Sequence, residues 1–199
     1  MKIKICGLFR EEDIIFANEA LPDYVGFVFA KSRRQITTEQ AMQFKKRLSS
    51  QIQTVGVFVN APAEEVIARL TEGSIDIAQL HGEESEEDIR YIKAATNRPV
   101  IKAVKVDSRY DVEAWLDSEA DYLLFDSGAG SGKLFDWSLL AEVNRPFFLA
   151  GGLKSENLEA AMQEVKPYAI DLSSGVETDG VKDGRKMKEA VACVRKWNQ

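Results

Sequence analysis

The chain has 199 residues, of which 45% are hydrophobic, and it carries a formal net charge of −6. This length and hydrophobic fraction predict one ordinary globular domain that spans residues 1–199. The acidic balance argues against nucleic acid or an anionic membrane as a partner, because both require a basic surface.

Eight short β-rich runs recur along the chain, with helical patterns between them. The runs are Ile3–Cys6, Tyr24–Phe29, Thr54–Val59, Asp76–Leu80, Val100–Val104, Tyr122–Asp126, Phe147–Ala150 and Ala169–Leu172. Many of them are continuously apolar rather than alternating, which is typical of parallel strands buried on both faces.

Most of the segments between these runs carry signals for the start of a helix. Capping-box pairs occur at Thr37 with Gln40, Ser85 with Asp88, and Ser108 with Asp111. The other expected starts are Pro62, Asp136, Ser155 and Asp183. We expect the helix after Ser108 to carry Trp115 and Leu116 on its apolar face.

Eight strands in strict alternation with eight helical segments predict a single-domain (β/α)8 barrel of the TIM type. The repeat is compact, at about 25 residues per unit. An open, doubly wound sheet is the alternative, but the even spacing and the absence of a spare domain favour closure. Chemistry in such barrels lies at the carboxyl ends of the strands, which makes the strand ends the candidate sites.

The cysteine and histidine counts limit the cellular setting and the metal chemistry. The N-terminal apolar stretch is too short for a signal peptide, and no run approaches the ~18 apolar residues of a membrane span. We therefore expect a cytoplasmic protein in which the two cysteines, Cys6 and Cys193, are free thiols. His81 is the only histidine, so no metal site is expected.

Cys6 and Asp126 end the first and sixth predicted strands. A thiol acts as a base only in its thiolate form, so this role requires surroundings that lower the pKa of Cys6. Asp126 follows an apolar run and could serve as a general acid at the rim. The alternatives are a buried small hydrophobe for Cys6 and a turn cap for Asp126. Cys193 lies in the last helical pattern and is expected to be a packing residue.

The stretch after Asp126, Ser127–Lys133, is rich in glycine and resembles an active-site loop. It is not a P-loop. Ser127 stands where the motif requires its first glycine, and Leu134 replaces the Ser or Thr that binds the metal.

The ends of the seventh and eighth strands predict a phosphate site. Loops after these two strands often bind phosphate in such barrels, through backbone N–H groups and hydroxyls. The residues concerned are Gly151, Gly152, Ser173, Ser174 and Gly175. Ordinary tight turns are the alternative for each loop taken alone.

Three further polar residues are candidates for binding. Arg34 could hold a carboxylate through paired hydrogen bonds, whereas Lys31 and Arg33 are expected in solvent. His81 could orient a ligand or be structural. Lys102 could point into the site, although an ion-paired structural lysine is the simpler interpretation.

An ordered set of segments resembles the phosphoribosylanthranilate isomerase family. The segments are Lys4–Gly7, Val25–Phe29, Ser32–Arg34, Val55–Asn60, Gln79–Glu83, Gly130–Lys133 leading to Phe135–Trp137, Ala150–Leu153 and Asp171–Glu177. They cover essentially the whole chain in the order found in the family.

The resemblance implies a barrel without metal or cofactor that acts in tryptophan biosynthesis. It would convert N-(5′-phosphoribosyl)anthranilate into 1-(2-carboxyphenylamino)-1-deoxyribulose 5-phosphate by an Amadori rearrangement. Asp126 would be the general acid, Cys6 the general base and Arg34 the ligand of the anthranilate carboxylate. Asp171 and His81 would be further candidates for substrate contact. The family includes monomers and homodimers, so both remain open here.

Other functions fit the sequence less well. A histidine-pathway aldose–ketose isomerase is expected to use two aspartates, whereas the first strand here ends in Cys6. Indole-glycerol-phosphate synthase requires Lys and Glu catalysts, and a metal-dependent pentulose-phosphate epimerase requires several His and Asp ligands. A non-catalytic phosphate-binding barrel would keep the loops after the seventh and eighth strands but would need neither Cys6 nor Asp126.

Overall fold

A computed structural model describes residues 1–128 and 135–197. Eight parallel strands form a closed barrel in chain order. They are β1 (Lys2–Cys6), β2 (Tyr24–Val28), β3 (Gln53–Phe58), β4 (Ile77–Leu80), β5 (Val100–Lys105), β6 (Tyr122–Asp126), β7 (Phe147–Leu149) and β8 (Ala169–Leu172). A short antiparallel hairpin follows, formed by β9 (Glu177–Thr178) and β10 (Val181–Lys182).

The described residues also form seven α-helices, most of which lie between consecutive strands. They are α1 (Glu11–Ala20), α2 (Thr38–Arg47), α3 (Ala63–Thr71), α4 (Glu86–Thr96), α5 (Arg109–Glu113), α6 (Leu158–Val165) and α7 (Gly184–Trp197). Two short 3-10 helices cover Trp137–Leu140 and Ser174–Val176. No helix in the described part of the chain is long and apolar enough to cross a membrane.

The predicted barrel is confirmed, and the open-sheet alternative is wrong. The deciding contact is the parallel pairing of β1 with β8, in which Lys4 lies opposite Asp171. Every predicted strand agrees with the structure to within one residue at each end. The capping boxes at Thr37, Ser85 and Ser108 are all present.

Two expected helices are shorter than the sequence suggested. α5 ends at Glu113 because Trp115 and Leu116 donate to carbonyls three residues earlier, which tightens the chain into 3-10 turns. The segment that opens at Asp136 is a four-residue 3-10 helix rather than an α-helix. The six residues between it and β7 end in Pro146, which cannot continue a helix.

α6 begins at Leu158 rather than at Ser155. The Asn157 side chain is bound to the preceding loop, where its Oδ1 accepts from the Lys154 N–H and its Nδ2 donates to the Gly152 carbonyl. These two bonds stabilise a turn where the first helical turn was expected. They also tie α6 to the loop that follows β7.

Side chains alternate between the two faces of the barrel wall, and this alternation determines where the site lies. The outward-facing residues pack with the helices into the main hydrophobic core. The inward-facing apolar residues form a second cluster: Tyr24, Val55, Ile77, Ile101, Ala103, Leu124, Phe148, Ala150 and Ala169. Tyr24 and Ala169 begin their strands, so much of this cluster fills the amino-terminal half of the barrel. The inward-facing polar residues lie in the carboxyl-terminal half of the barrel.

Candidate active site

A pocket of about 370 Å³ opens at the carboxyl ends of the barrel strands. It brings together nine of the ten predicted site residues: Cys6, Arg34, His81, Asp126, Gly151, Gly152, Asp171, Ser173 and Ser174. Apolar side chains at the ends of β2 and β3, among them Val28, Val57 and Val59, line part of its wall. The pocket therefore combines charged groups with an apolar surface, as small-molecule sites commonly do.

Cys6 is the last residue of β1 and is partly exposed at the pocket. The neighbouring position on β2 is Gly26, where a Cβ atom would lie only 2.6 Å from the Cys6 sulfur. Burial raises the pKa of the Cys6 thiol and the Asp171 carboxylate adds to this effect, whereas the Lys4 ammonium opposes it. The net direction is opposite to the lowered pKa that the sequence analysis required of a base.

Lys4 and Asp171 form an ion pair inside the barrel, beside Cys6. Lys4 Nζ donates to Asp171 Oδ2 at 2.7 Å, and the lysine is fully buried. Burial alone lowers the pKa of Lys4, but the charges of Asp171 and Cys6 outweigh it, so the pKa is raised. The second carboxylate oxygen, Asp171 Oδ1, is buried and has no hydrogen-bond partner among the described residues.

Asp126 ends β6 beside His81, which follows β4. The Nε2 atom of His81 lies 3.4 Å from Asp126 Oδ2, and its Nδ1 atom lies 3.0 Å from the amide nitrogen of Gln79. Gly151 adopts a φ of 85°, and a Cβ atom there would lie 2.7 Å from Asp126 Oδ1. Only glycine allows the loop after β7 to approach this carboxyl group so closely.

Arg34 faces the pocket while its guanidinium is held by Glu177. Arg34 Nε donates to Glu177 Oε1 at 2.8 Å, and Nη2 donates to Oε2 at 3.0 Å. Arg33 and Lys182 bind the same carboxylate at 2.6 and 2.8 Å. Burial tends to raise the pKa of Glu177, but hydrogen bonds from Arg34 and Lys182 outweigh it and lower the pKa to about 2. Glu177 is therefore an anion that joins the β2 loop to the β9–β10 hairpin.

The predicted phosphate loops lie side by side, although one of their residues is outside the pocket. Gly151 and Gly152 have φ angles of 85° and 63°, and Ser173 and Ser174 line the same wall. Gly175 packs against the Leu153 carbonyl so closely that any side chain would collide with that backbone. Its role is to let the loops after β7 and β8 touch, and it does not line the pocket.

Lys102 does not point into the site. Its side chain lies on the outer face of β5, where Nζ donates to the Gly82 carbonyl at 2.6 Å and to Glu84 Oε2 at 3.1 Å. The interpretation as an ion-paired structural lysine is confirmed. Most of the predicted active-site loop, residues 129–133, lies outside the described residues.

Sequence reasoning missed four polar groups in or beside the site: Lys4, Gln79, Glu177 and Lys182. For two of them a signal was present. Lys4 lies two residues before Cys6 and Gln79 two before His81, so each shares the inward face of its strand. Nothing in the sequence indicated that Glu177 binds three cations, because Arg33 and Arg34 are distant along the chain and only Lys182 is close to it. Among residues 1–128 and 135–197, no group of three or more His, Cys, Asp or Glu side chains is arranged to hold a metal ion.

Comparison with known proteins identifies the family. The model for N-(5′-phosphoribosyl)anthranilate isomerase matches residues 3–192. The chain belongs to the N-(5′-phosphoribosyl)anthranilate isomerase family. A family member from Endomicrobium trichonymphae is 48% identical over 199 residues, and the match covers 98% of each chain.

Solved structures of the isomerase family have the same barrel. The crystal structure of phosphoribosyl anthranilate isomerase from Thermus thermophilus has a TM-score of 0.89 at 37% identity, covering 99% of this chain and 100% of the other. A second isomerase crystal structure, in complex with reduced 1-(o-carboxyphenylamino)-1-deoxyribulose 5-phosphate, has a TM-score of 0.87 at 37% identity. That match covers 98% of this chain and 99% of the other.

Proposed function

We propose that this protein converts N-(5′-phosphoribosyl)anthranilate into 1-(2-carboxyphenylamino)-1-deoxyribulose 5-phosphate, with Asp126 as general acid and Cys6 as general base. The observation that carries the proposal is the convergence of Cys6, Asp126 and Arg34 on one pocket beside two glycine- and serine-bearing loops. This arrangement is found in a chain that belongs to the isomerase family along nearly its whole length.

The pocket has chemistry for both ends of this substrate. Gly151, Gly152, Ser173 and Ser174 offer backbone N–H groups and hydroxyls suited to the phosphate. Arg34 offers a guanidinium for the anthranilate carboxylate, since among the described residues its hydrogen bonds to Glu177 use Nε and Nη2 and not Nη1. The apolar wall formed by Val28, Val57 and Val59 suits the aromatic ring.

The proposed reaction needs one proton donated and one removed. Asp126 protonates the ribose ring oxygen, the C1′–O bond breaks, and the sugar opens to an iminium while Asp126 becomes a carboxylate. The Cys6 thiolate then removes the C2′ proton, and the C–H electron pair moves toward the iminium nitrogen to give an enolamine. Tautomerisation of the enolamine gives the ketone. The iminium is the electron sink that makes the C2′ proton acidic.

His81 supports the acid step. With Nε2 3.4 Å from Asp126 Oδ2, His81 can stabilise the carboxylate that remains after the ring oxygen is protonated. General acid–base assistance typically contributes ~10²–10⁴-fold in rate, so substrate positioning by Arg34 and the phosphate loops must supply much of the remainder.

The decisive experiment follows the fluorescence of the anthranilate substrate when purified protein is added. We expect loss of fluorescence with the intact protein, and a fall in kcat of about 10²-fold or more in Cys6→Ala and in Asp126→Asn. Ligand binding should be largely retained in both variants. Cys193→Ala is the matched control, because this second thiol lies on α7, which is outside the pocket.

Two outcomes would overturn parts of this proposal. Full activity of Cys6→Ala would remove Cys6 as the base. Absence of turnover by the intact protein, with phosphate-ester binding retained, would support a non-catalytic phosphate-binding barrel instead.

The proposed activity also bears on the cellular setting and the assembly. We infer a reducing cytoplasm, which is supported by two cysteines that are both free and by an activity that requires the Cys6 thiolate. The proposed partner is the phosphorylated small molecule itself. We propose either a monomer or a homodimer, because the residues named for the reaction all belong to one chain.

A further inference from the structure

A buried lysine and a buried aspartate lie directly below the reactive thiol. Lys4 and Asp171 are opposite each other in the ladder between β1 and β8, and their side chains meet at 2.7 Å inside the barrel. Lys4 precedes Cys6 by two residues on the same strand face. Its positive charge opposes the rise in the pKa of the Cys6 thiol that burial causes.

Fold stability does not account for this pair. Removing two charges from water costs several kcal/mol per ion, and replacing such a pair by packed apolar residues is often neutral or stabilising. Asp171 adds a further cost, since Oδ1 is buried and has no hydrogen-bond partner in the described part of the chain, although the residue lines the pocket. A different explanation is therefore needed for charges at this depth.

We propose that Lys4 is a positioning residue that stabilises the thiolate of Cys6, and that Asp171 opposes it, so the pair controls the base strength of the thiol. The proposal rests on the proposed role of Cys6 as the general base. Lys4 offsets part of the effect by which burial favours the neutral thiol.

The charged surroundings of Cys6 single out Lys4 as the cation that acts on it. On β2, the residue paired with Cys6 is Gly26, which carries no side chain. The titratable and charged groups that line the pocket or lie beside Cys6 are Lys4, Lys31, Arg34, His81, Asp126, Asp171, Glu177 and Lys182. Lys31 is exposed, so solvent screens its charge. Lys182 and Arg34 are both held by Glu177. Lys4 instead lies beside both Asp171 and Cys6, so the carboxylate and the thiolate compete for the same positive charge.

The test measures alkylation of Cys6 by iodoacetamide as a function of pH in a Cys193→Ser background, where Cys6 is the only thiol. We expect Lys4→Met to raise the pH midpoint by about 1–3 units, the usual effect of removing a nearby opposite charge. Asp171→Asn should lower the midpoint, because it removes the competing anion. The opposite signs are the diagnostic result, since a general loosening of the site would move both midpoints in the same direction.

Lys102→Met is the matched control. Lys102 is also a buried, ion-paired barrel lysine, but it lies on the outer face of the wall with Glu84, so the Cys6 midpoint should not move. At neutral pH, Lys4→Met should lower kcat about tenfold for each unit of midpoint shift, with little change in KM. If Lys4→Met does not fold, the downward shift in Asp171→Asn still decides the question.

Shifts of the same sign in Lys4→Met and Asp171→Asn, or no shift in either, would overturn the proposal. Alkylation does not depend on turnover, so this failure is distinct from failure of the proposed function. If the midpoints move as expected but Cys6→Ala remains fully active, the control of the thiol stands and Cys6 is not the base.

Discussion

The two ends of the barrel interior differ sharply, although the same eight strands build both. The amino-terminal end holds an aromatic plug, defined here as Tyr24, Tyr122, Phe148 and Tyr168, whose rings pack with centroids 5.0–5.8 Å apart. The carboxyl-terminal end holds the charged groups of the pocket. On a single strand, inward-facing residues four positions apart can therefore belong to different ends. On β6, Tyr122 belongs to the plug and Asp126 to the pocket.

The contrast shows how the barrel divides stability from chemistry. The aromatic plug fills the amino-terminal end of the interior, so charges above it interact through a medium of lower dielectric constant than water. Lys4 is buried above the plug, and its partner Asp171 reaches the floor of the pocket. Substitutions in the plug should therefore mainly lower the free energy of unfolding, and substitutions at the rim should mainly weaken ligand binding.

The largest expected effect comes from truncating the centre of the plug. Phe148 is fully buried and contacts Tyr24, Tyr122 and Tyr168. Phe148→Ala should lower the free energy of unfolding by about 3–5 kcal/mol, because it removes apolar contacts and leaves a cavity. Urea unfolding measures this loss, and kcat of the folded variant should stay close to that of the parent.

Phe148→Leu is the control for that variant, since it keeps most of the apolar volume and should cost less. A large fall in kcat for folded Phe148→Ala would contradict the division between the two ends.

The second effect concerns the rim, where Glu177 holds Arg34. Glu177→Gln should raise KM for the anthranilate substrate by about tenfold or more, because a hydrogen bond to a charged group contributes about 1.5–3 kcal/mol. kcat should change much less. Arg33→Ala is the control: Arg33 binds the same carboxylate, but its side chain is 52% exposed, so KM should change by no more than about twofold.

Glu177 also gives the rim a distinctive acid sensitivity. The pKa of Glu177 in the folded protein is about 2, below its usual 4.5, so the stabilisation is complete above pH 4.5 and is lost as the pH falls toward 2. Unfolding measured from pH 6 to pH 3 should show a shallower decline in Glu177→Gln. An unchanged decline, or an unchanged KM, would mean that Glu177 does not hold Arg34 in solution.

The smallest effect is expected from one hydroxyl group of the plug. The hydroxyls of Tyr24 and Tyr168 are hydrogen-bonded at 2.9 Å, so Tyr24→Phe should cost about 0.5–1.5 kcal/mol of unfolding free energy and leave kcat and KM unchanged. Tyr110→Phe is the matched control, because Tyr110 is 77% exposed and its change should be negligible. A loss of activity in Tyr24→Phe without a loss of stability would contradict the assignment of the plug to stability and of the rim to chemistry.

The amino-acid sequence by itself determined the barrel and most of its strand-end residues. Eight apolar runs at even spacing are a local signal, and in a parallel barrel the end of a strand is also the edge of the active site. That rule predicts Cys6, Asp126 and the loops after β7 and β8 as candidate site residues. Helix lengths were less well predicted, because α5 and α6 are limited by local hydrogen bonds that propensity does not reveal.

Only the tertiary structure decided which charges meet. Lys4 and Asp171 are 167 residues apart in the chain, and Arg34 and Glu177 are 143 apart, yet each pair lies within hydrogen-bond distance. No sequence pattern encodes such contacts, because they follow from closure of β1 against β8 and from packing of the hairpin on the β2 loop. The rise in the pKa of Cys6 depends on the same closure, since burial and neighbouring charges act on the thiol only once the barrel has closed around it.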